Sequence, residues 1–337
     1  MTTREASHAG SWYADDGKKL SGQLDGWLDQ VPSAAKCIGS ESSKHDTVPL
    51  PSTRARIIIA PHAGYAYSGP AAAWAYKSLD LSSCKQVFLL GPSHHHYLSG
   101  CALSQCDYYE TPLGNLRLDK DTIAELQATK QFDKMALSVD EAEHSMEMHL
   151  PYIYKVLSKT FSSPATFPPL IPILVGSTST TAERRYADIL APYLADPTSV
   201  FVVSSDFCHW GSRFRYTYYQ PKSGSAYSVR SGDVIPSTRP IHESIAIVDQ
   251  ASMDAVESGS HAKFWEQLEA TGNTVCGRHP IGVVLATLEV LKEKEDGAQD
   301  GEVAEKGKFK FLRYERSDLV KSVRDSSVSY CSAFAAL

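Results

Sequence analysis

Four short apolar runs constrain this chain more than anything else in it. They are ARIIIA at 55–60, QVFLL at 86–90, LIPILVG at 170–176 and SVFVVSS at 199–205. Each reads as a buried strand. Helical patterns lie between and around them: 18–31, where Leu20, Leu24, Trp27, Leu28 and Val31 fall on one face, then 70–79, 119–129, 181–194, 241–257, 261–270 and 280–292. Strands alternating with helices predict an α/β layered fold. Strands that are apolar almost throughout predict a sheet covered on both faces. Two alternating segments, FKFLRYERS and SSVSYCSAF, close the chain and read as antiparallel strands at one edge. No break in composition divides the 337 residues, so one domain spanning 1–337 is expected. Loop insertions are expected at 36–53, 221–240 and 292–308, from their Ser, Pro, Gly and charge content.

Three of the four runs lead into histidine. IIIAPHAGY presents His62, FLLGPSHHH presents His94 with His95 and His96 as bystanders, and FVVSSDFCHWG presents Asp206, Cys208 and His209. A lone histidine after a strand is usually a surface or capping residue. Three strands that end alike point instead to a shared site, because open α/β sheets bind ligands outside the carboxyl ends of their strands. Neutral imidazole is a common metal ligand and proton carrier.

Two other segments add candidates. DEAEHSMEMHLPY holds His144, Glu147 and His149, at a spacing unlike the H-E-x-x-H of zinc proteases, and a polar helix start is an equal reading. TVCGRHPIG sets Cys276 just before a helix start, where a thiol is expected to have a lowered pKa and to form thiolate readily. His62, His94 and Cys276 then make a three-ligand metal site with open positions, the pattern of two histidines and one anion found in non-haem iron oxygenases. Asp206, His209 and His149 would be supporting or acid–base groups. A thiolate shifts preference toward copper(I), zinc or iron(II), away from magnesium and calcium.

Composition excludes other classes. A net charge of −6, from 33 basic and 39 acidic residues, supplies no broad basic surface for nucleic acid. No apolar segment reaches the length of a membrane span, and the polar stretch at 1–19 is not a secretory signal. Seven scattered cysteines without a C-x-x-C pair fit reduced thiols in the cytoplasm or nucleus.

Six blocks in order resemble the Memo family, named for a mediator of receptor-driven cell motility. They are REASHAGSWY, IAPHAGYAYSG, LGPSHHHYLSGCALS, EHSMEMHLPY, VSSDFCHWGSRFRY and CGRHPIG, and together they cover nearly the whole chain. The family is similar in fold to class III extradiol dioxygenases, which use non-haem iron(II). The resemblance implies a three-layer α/β/α sandwich around a mixed, largely buried sheet. It implies a site at His62, His94 and Cys276 for one iron(II) or copper ion, with zinc as a further fit. In the related dioxygenases the third ligand is glutamate, and a cysteine there argues against ring cleavage. Animal members imply binding of phosphotyrosine peptides, with Trp12 and Tyr67 lining the pocket. The longer loops suggest a fungal-type member.

Three functions follow as alternatives. One is a redox metalloprotein acting on dioxygen, superoxide or a small molecule, in signalling linked to motility or invasive growth. Another is a signalling adaptor that binds phosphopeptides through Trp12, Tyr67 and His209, with Cys276 in the pocket and with Arg4, Arg213 and Arg215 offering charge to phosphate. The third is a hydrolase with Cys276 as nucleophile, a histidine as base and Asp206 as orienter.

Overall fold

The computed structural model describes residues 1–44, 47–295 and 306–337. Its main sheet is built from nine strands: β1 (Ala55–Ala60), β2 (Gln86–Pro92), β3 (Cys101–Ser104), β4 (Phe132–Met135), β5 (Leu170–Val175), β6 (Ser199–Ser204), β7 (His209–Trp210), β8 (Phe309–Arg316) and β9 (Ser327–Ala336). Every residue of β1, β5 and β6 is buried, as their unbroken apolar runs require.

Strands β1, β6, β2 and β5 lie side by side and parallel. Register aligns Ile59 with Val203, Val203 with Leu90, and Leu90 with Ile173. All four therefore release the chain at the same edge. The flanks are antiparallel, with β3 pairing β5 and β9 pairing β1, so the sheet is mixed. The closing strands do pair antiparallel, but only β8 is outermost; β9 sits between β8 and β1.

Among the described residues ten α-helices accompany the sheet: α1 (Gly17–Gln30), α2 (Tyr65–Ser78), α3 (Lys120–Ala128), α4 (Leu137–Ala142), α5 (His144–Glu147), α6 (Leu150–Thr160), α7 (Thr180–Ala195), α8 (Ile241–Glu257), α9 (His261–Thr271) and α10 (Arg278–Glu295). The crossover β1–α2–β2 and the crossover β5–α7–β6 run in opposite directions across the sheet. Right-handed connections put their helices on opposite faces. Helices α1, α2 and α6 pack together on one face, and α7 and α10 pack together on the other. The result is an α/β sandwich with a large main apolar core, drawn from Tyr13 through Ala335, and smaller clusters beside it, such as that of Trp210, Tyr219 and Ile241.

Local chemistry sets the boundaries. Side chains of Asp16, Ser179 and Ser260 accept from the first-turn backbone N–H groups of α1, α7 and α9. Helix α2 begins five residues earlier than the 70–79 expected: Gly64 starts it, and Pro70 lies inside it. Pro70 is the sixth residue of the helix, past the first-turn N–H groups that lack partners, so it removes one ladder hydrogen bond and does not mark the helix start. Residues 221–240 carry one short strand, Tyr227–Ser228, paired with Tyr218–Tyr219. Of the 36–53 and 292–308 segments, residues 45–46 and 296–305 lie outside the described residues. Among the described residues no helix is long and apolar enough to cross a membrane.

Candidate metal centre and cleft

The parallel edge delivers the histidines together. His62 follows β1 and His94 follows β2, while His144 opens the one-turn helix α5. One donor atom from each of His62, His94 and His144 lies within 4.8 Å of the others. The His94 and His144 rings stack at 4.5 Å and 19°, and the His62 ring stands edge-on to both.

Hydrogen bonds fix which nitrogen each ring offers. Ser204 Oγ donates to the Ser145 carbonyl at 2.7 Å, so it accepts from His62 Nδ1 at 2.6 Å. His94 Nδ1 donates to Glu143 Oε1 at 2.9 Å. Nδ1 therefore carries a proton in both rings and Nε2 is the nitrogen left to face the site, which is the orientation that supporting groups give to metal-binding histidines. Burial, reinforced by His94 and His144, pushes His62 well below the usual imidazole range, so it stays neutral. Burial likewise brings His144 down to about 3, and its buried Nδ1 has no hydrogen-bond partner. Burial alone would raise Glu143, but donation from the His94 ring and backbone holds its carboxyl at about 2.

Cys276 approaches from the other side, its Sγ 3.2 Å from His62 Nε2. The Asp206 N–H donates to the same sulfur at 3.2 Å. The expectation of a ready thiolate fails: burial first, then the Asp206 carboxylate, push the Cys276 thiol well above its ordinary range. Cys276 precedes α10 by two residues, and the surrounding carboxylate and low dielectric outweigh the helix end. A cation at the site would supply the charge that favours thiolate.

The other expected residues separate. Asp206 is buried beneath the site, where its Oδ1 accepts from the His62 N–H at 2.8 Å and anchors the turn after β1. His209 Nδ1 lies 2.8 Å from the Phe207 carbonyl and 3.1 Å from the Thr274 carbonyl. Carbonyls only accept, so Nδ1 is protonated and Nε2 is the free base. His209 lines a cleft of about 350 Å³ together with His94, Cys276 and Phe214. His149 turns into the core: it is fully buried, its Nδ1 is bonded to the Tyr76 hydroxyl at 2.7 Å, and burial brings it down to about 3. Trp12 and Tyr67 line a different cleft, which they share with Arg213 and Tyr330. Trp12 also packs its ring 4.5 Å from that of His144.

Arg4 corrects another expectation. It is fully buried and cannot offer its charge to a ligand. Its guanidinium binds Asp140 Oδ1 at 3.0 Å, Glu147 Oε2 at 2.6 Å and the Glu143 carbonyl at 2.9 Å. It holds the backbone that carries Glu143 and His144. Arg213 and Arg215 are exposed. Glu143 and His144 were absent from the expected ligand set because a carboxylate that orients a ring is visible only once the fold brings them together.

A family model described as Memo-like protein matches residues 4–334. "Protein MEMO1" of Xenopus laevis is 44% identical over 329 residues, covering 98% of this chain and 96% of that protein. "Protein MEMO1" of Homo sapiens is 43% identical over 332 residues, covering 98% and 97%. "Protein memo-1 homolog" of Caenorhabditis elegans is 40% identical over 331 residues, covering 98% of this chain and 81% of that protein. With a family match over residues 4–334, near-complete coverage on both sides for the two vertebrate relatives, and the site blocks inside the matched span, this chain belongs to the Memo family.

Proposed function

We propose that this chain binds one iron(II) or copper ion through His62, His94 and Cys276, and that the bound ion serves redox or metal-linked signalling of cell motility or invasive growth. Zinc suits the same donors. The observation that carries this reading is the convergence of His62 and His94, each with Nδ1 engaged and Nε2 free, with Cys276 Sγ 3.2 Å from His62 Nε2. His144 adds a third imidazole within 4.8 Å of both and could complete the ligand set. Iron or copper held there would supply one-electron chemistry toward dioxygen or superoxide and Lewis acidity toward a ligand oxygen. The protein's own groups do the rest. Ser204 and Glu143 hold the two rings in the metal-binding tautomer. His209 offers Nε2 to a ligand proton in the adjoining cleft. A thiolate in place of a carboxylate makes ring cleavage the least expected outcome. The chain would work in the cytoplasm or nucleus, where thiols stay reduced.

Metal analysis of protein purified without chelator under low oxygen tests this. About one iron or copper per chain is expected, falling roughly tenfold or more in His62→Ala and Cys276→Ser. Protein that comes out metal-free and refuses added iron(II) and copper(I) would overturn it.

Trp12 and Tyr67 favour a second reading. They are 37% and 60% exposed on a cleft of about 530 Å³ beside Arg213. Aromatic walls and a guanidinium suit a phosphotyrosine peptide from a signalling partner. Titration should show saturable binding that survives chelation; equal affinity for the unphosphorylated peptide would refute it.

A further inference from the structure

The cleft has a wall that the metal reading does not use. The fourth parallel strand, β5, ends at Val175 without a histidine, and the chain continues through Thr178 into α7. Glu183 of α7 is fully buried, yet it is surrounded by donors. Thr178 Oγ1 reaches its Oε1 at 3.0 Å and His279 Nδ1 reaches the same oxygen at 2.9 Å. His261 Nε2 and Trp265 Nε1 reach Oε2 at 2.5 and 2.8 Å. Helix α10 makes room by carrying Gly282, where a Cβ would sit 2.4 Å from Glu183 Oε2.

A carboxylate only accepts, so His279 Nδ1 carries a proton and its Nε2 is the free nitrogen. Trp265 packs against the ring at 5.2 Å. Glu183 thus does for His279 what Ser204, Glu143 and the two carbonyls do for His62, His94 and His209. It lines the same cleft as His94, His209 and Cys276, next to Arg278. The cleft lining contains no carboxylate, and Arg278 gives it a full positive charge. Asp206, Glu143 and Glu183 are themselves buried and are engaged by the His62 N–H, the His94 ring and the Thr178 hydroxyl.

We propose that Arg278 and His279 receive the carboxylate of a small ligand in this cleft, His279 donating from an Nε2 proton taken up together with the ligand, and that Glu183 is the positioning residue that fixes the ring through its Nδ1–H. One guanidinium and one imidazole match a monoanion; a phosphate dianion would call for more charge. The inference rests on reading the strand-end cleft as the ligand site, but it does not require the metal.

Calorimetric titration of benzoate, with inorganic phosphate for comparison, into the full chain with and without chelator tests it. Metal content measured on the same samples reports separately on the metal reading. Saturable benzoate binding is expected in both forms, with phosphate weaker. Arg278→Gln and His279→Gln should each weaken benzoate at least tenfold, with melting temperature unchanged in Arg278→Gln. Glu183→Gln should weaken it through the ring, so nitrogen-15 NMR of His279 should change from one tautomer to a mixture; His279→Gln supplies the answer should Glu183→Gln fail to fold. Absent benzoate binding, full affinity in folded His279→Gln, a single His279 tautomer in folded Glu183→Gln, or tighter phosphate would each overturn the proposal.

Discussion

At the residue scale, the site depends on charges paired across great sequence distance. Arg4 meets Asp140 and Glu147 across 136 and 143 positions, so nothing near Arg4 in the sequence announces its burial. His62 and His94 were legible because their strands announce themselves and end in turns. Glu143, Ser204 and Glu183 were not, since a residue that orients a neighbouring ring carries no local pattern. Glu147 makes the energetic point testable. Burial alone would raise its carboxyl, but donation from His8, the charge of Arg4 and the Tyr13 hydroxyl hold it at about 2. A carboxyl lowered in the folded state stabilises the fold above its unfolded pKa of about 4.3 and loses that contribution as pH falls toward 2. The contribution is roughly 3 kcal/mol. Melting temperature should therefore drop between about pH 4.5 and pH 2 in the wild type. The Glu147→Gln variant should start lower, since buried Arg4 loses a partner at a cost of about 3–5 kcal/mol, and should fall less steeply over the same range.

At the element scale, the long periodic segments were legible and the short ones were not. Strand β1 and helix α8 occupy the expected residues, because unbroken apolar runs and a clear helical stripe leave little choice. Strands β3 and β4 have four residues each, too few for a pattern to rise above chance, and were missed. Helix α6 was missed because Leu150-Pro151 reads as an ending; Pro151 instead sits in its first turn, where proline is favoured. Glycines inside helices offer a contrast in sign. Gly22 in α1 has nothing within 4 Å of a Cβ position, whereas Gly282 in α10 faces Glu183 Oε2 at 2.4 Å. Helix propensity favours alanine at both positions by about 1 kcal/mol. Gly22→Ala should raise the unfolding free energy by that amount, read from a higher urea midpoint, while Gly282→Ala should lower stability by roughly 1–3 kcal/mol, because its oxygen neighbour is locked by four donors. Equal gains from both substitutions would show that the Glu183 cluster yields easily.

At the scale of the whole molecule, opposite crossover directions cover both sheet faces and leave one edge open for ligands. The layered fold followed from four apolar runs, and the mixed sheet required knowing that β9 enters beside β1. A net charge of −6 concealed a cleft lined by Arg278 and three histidines with no acid among them, because charge totals do not report where the carboxylates point. Cys276 lies 3.2 Å from His62 Nε2, and the burial that raises its thiol depends on the assembled fold, so no local pattern announces it. In the proposed centre two imidazoles and one thiolate would hold the metal at the strand ends. X-ray absorption at the metal edge, on iron(II)- or copper(I)-loaded full chain, tests it most directly. The account predicts one sulfur scatterer at about 2.3 Å beside nitrogen neighbours, and loss of that sulfur in Cys276→Ser. A first shell of nitrogen and oxygen alone in the wild type would contradict it and hand the third position to His144.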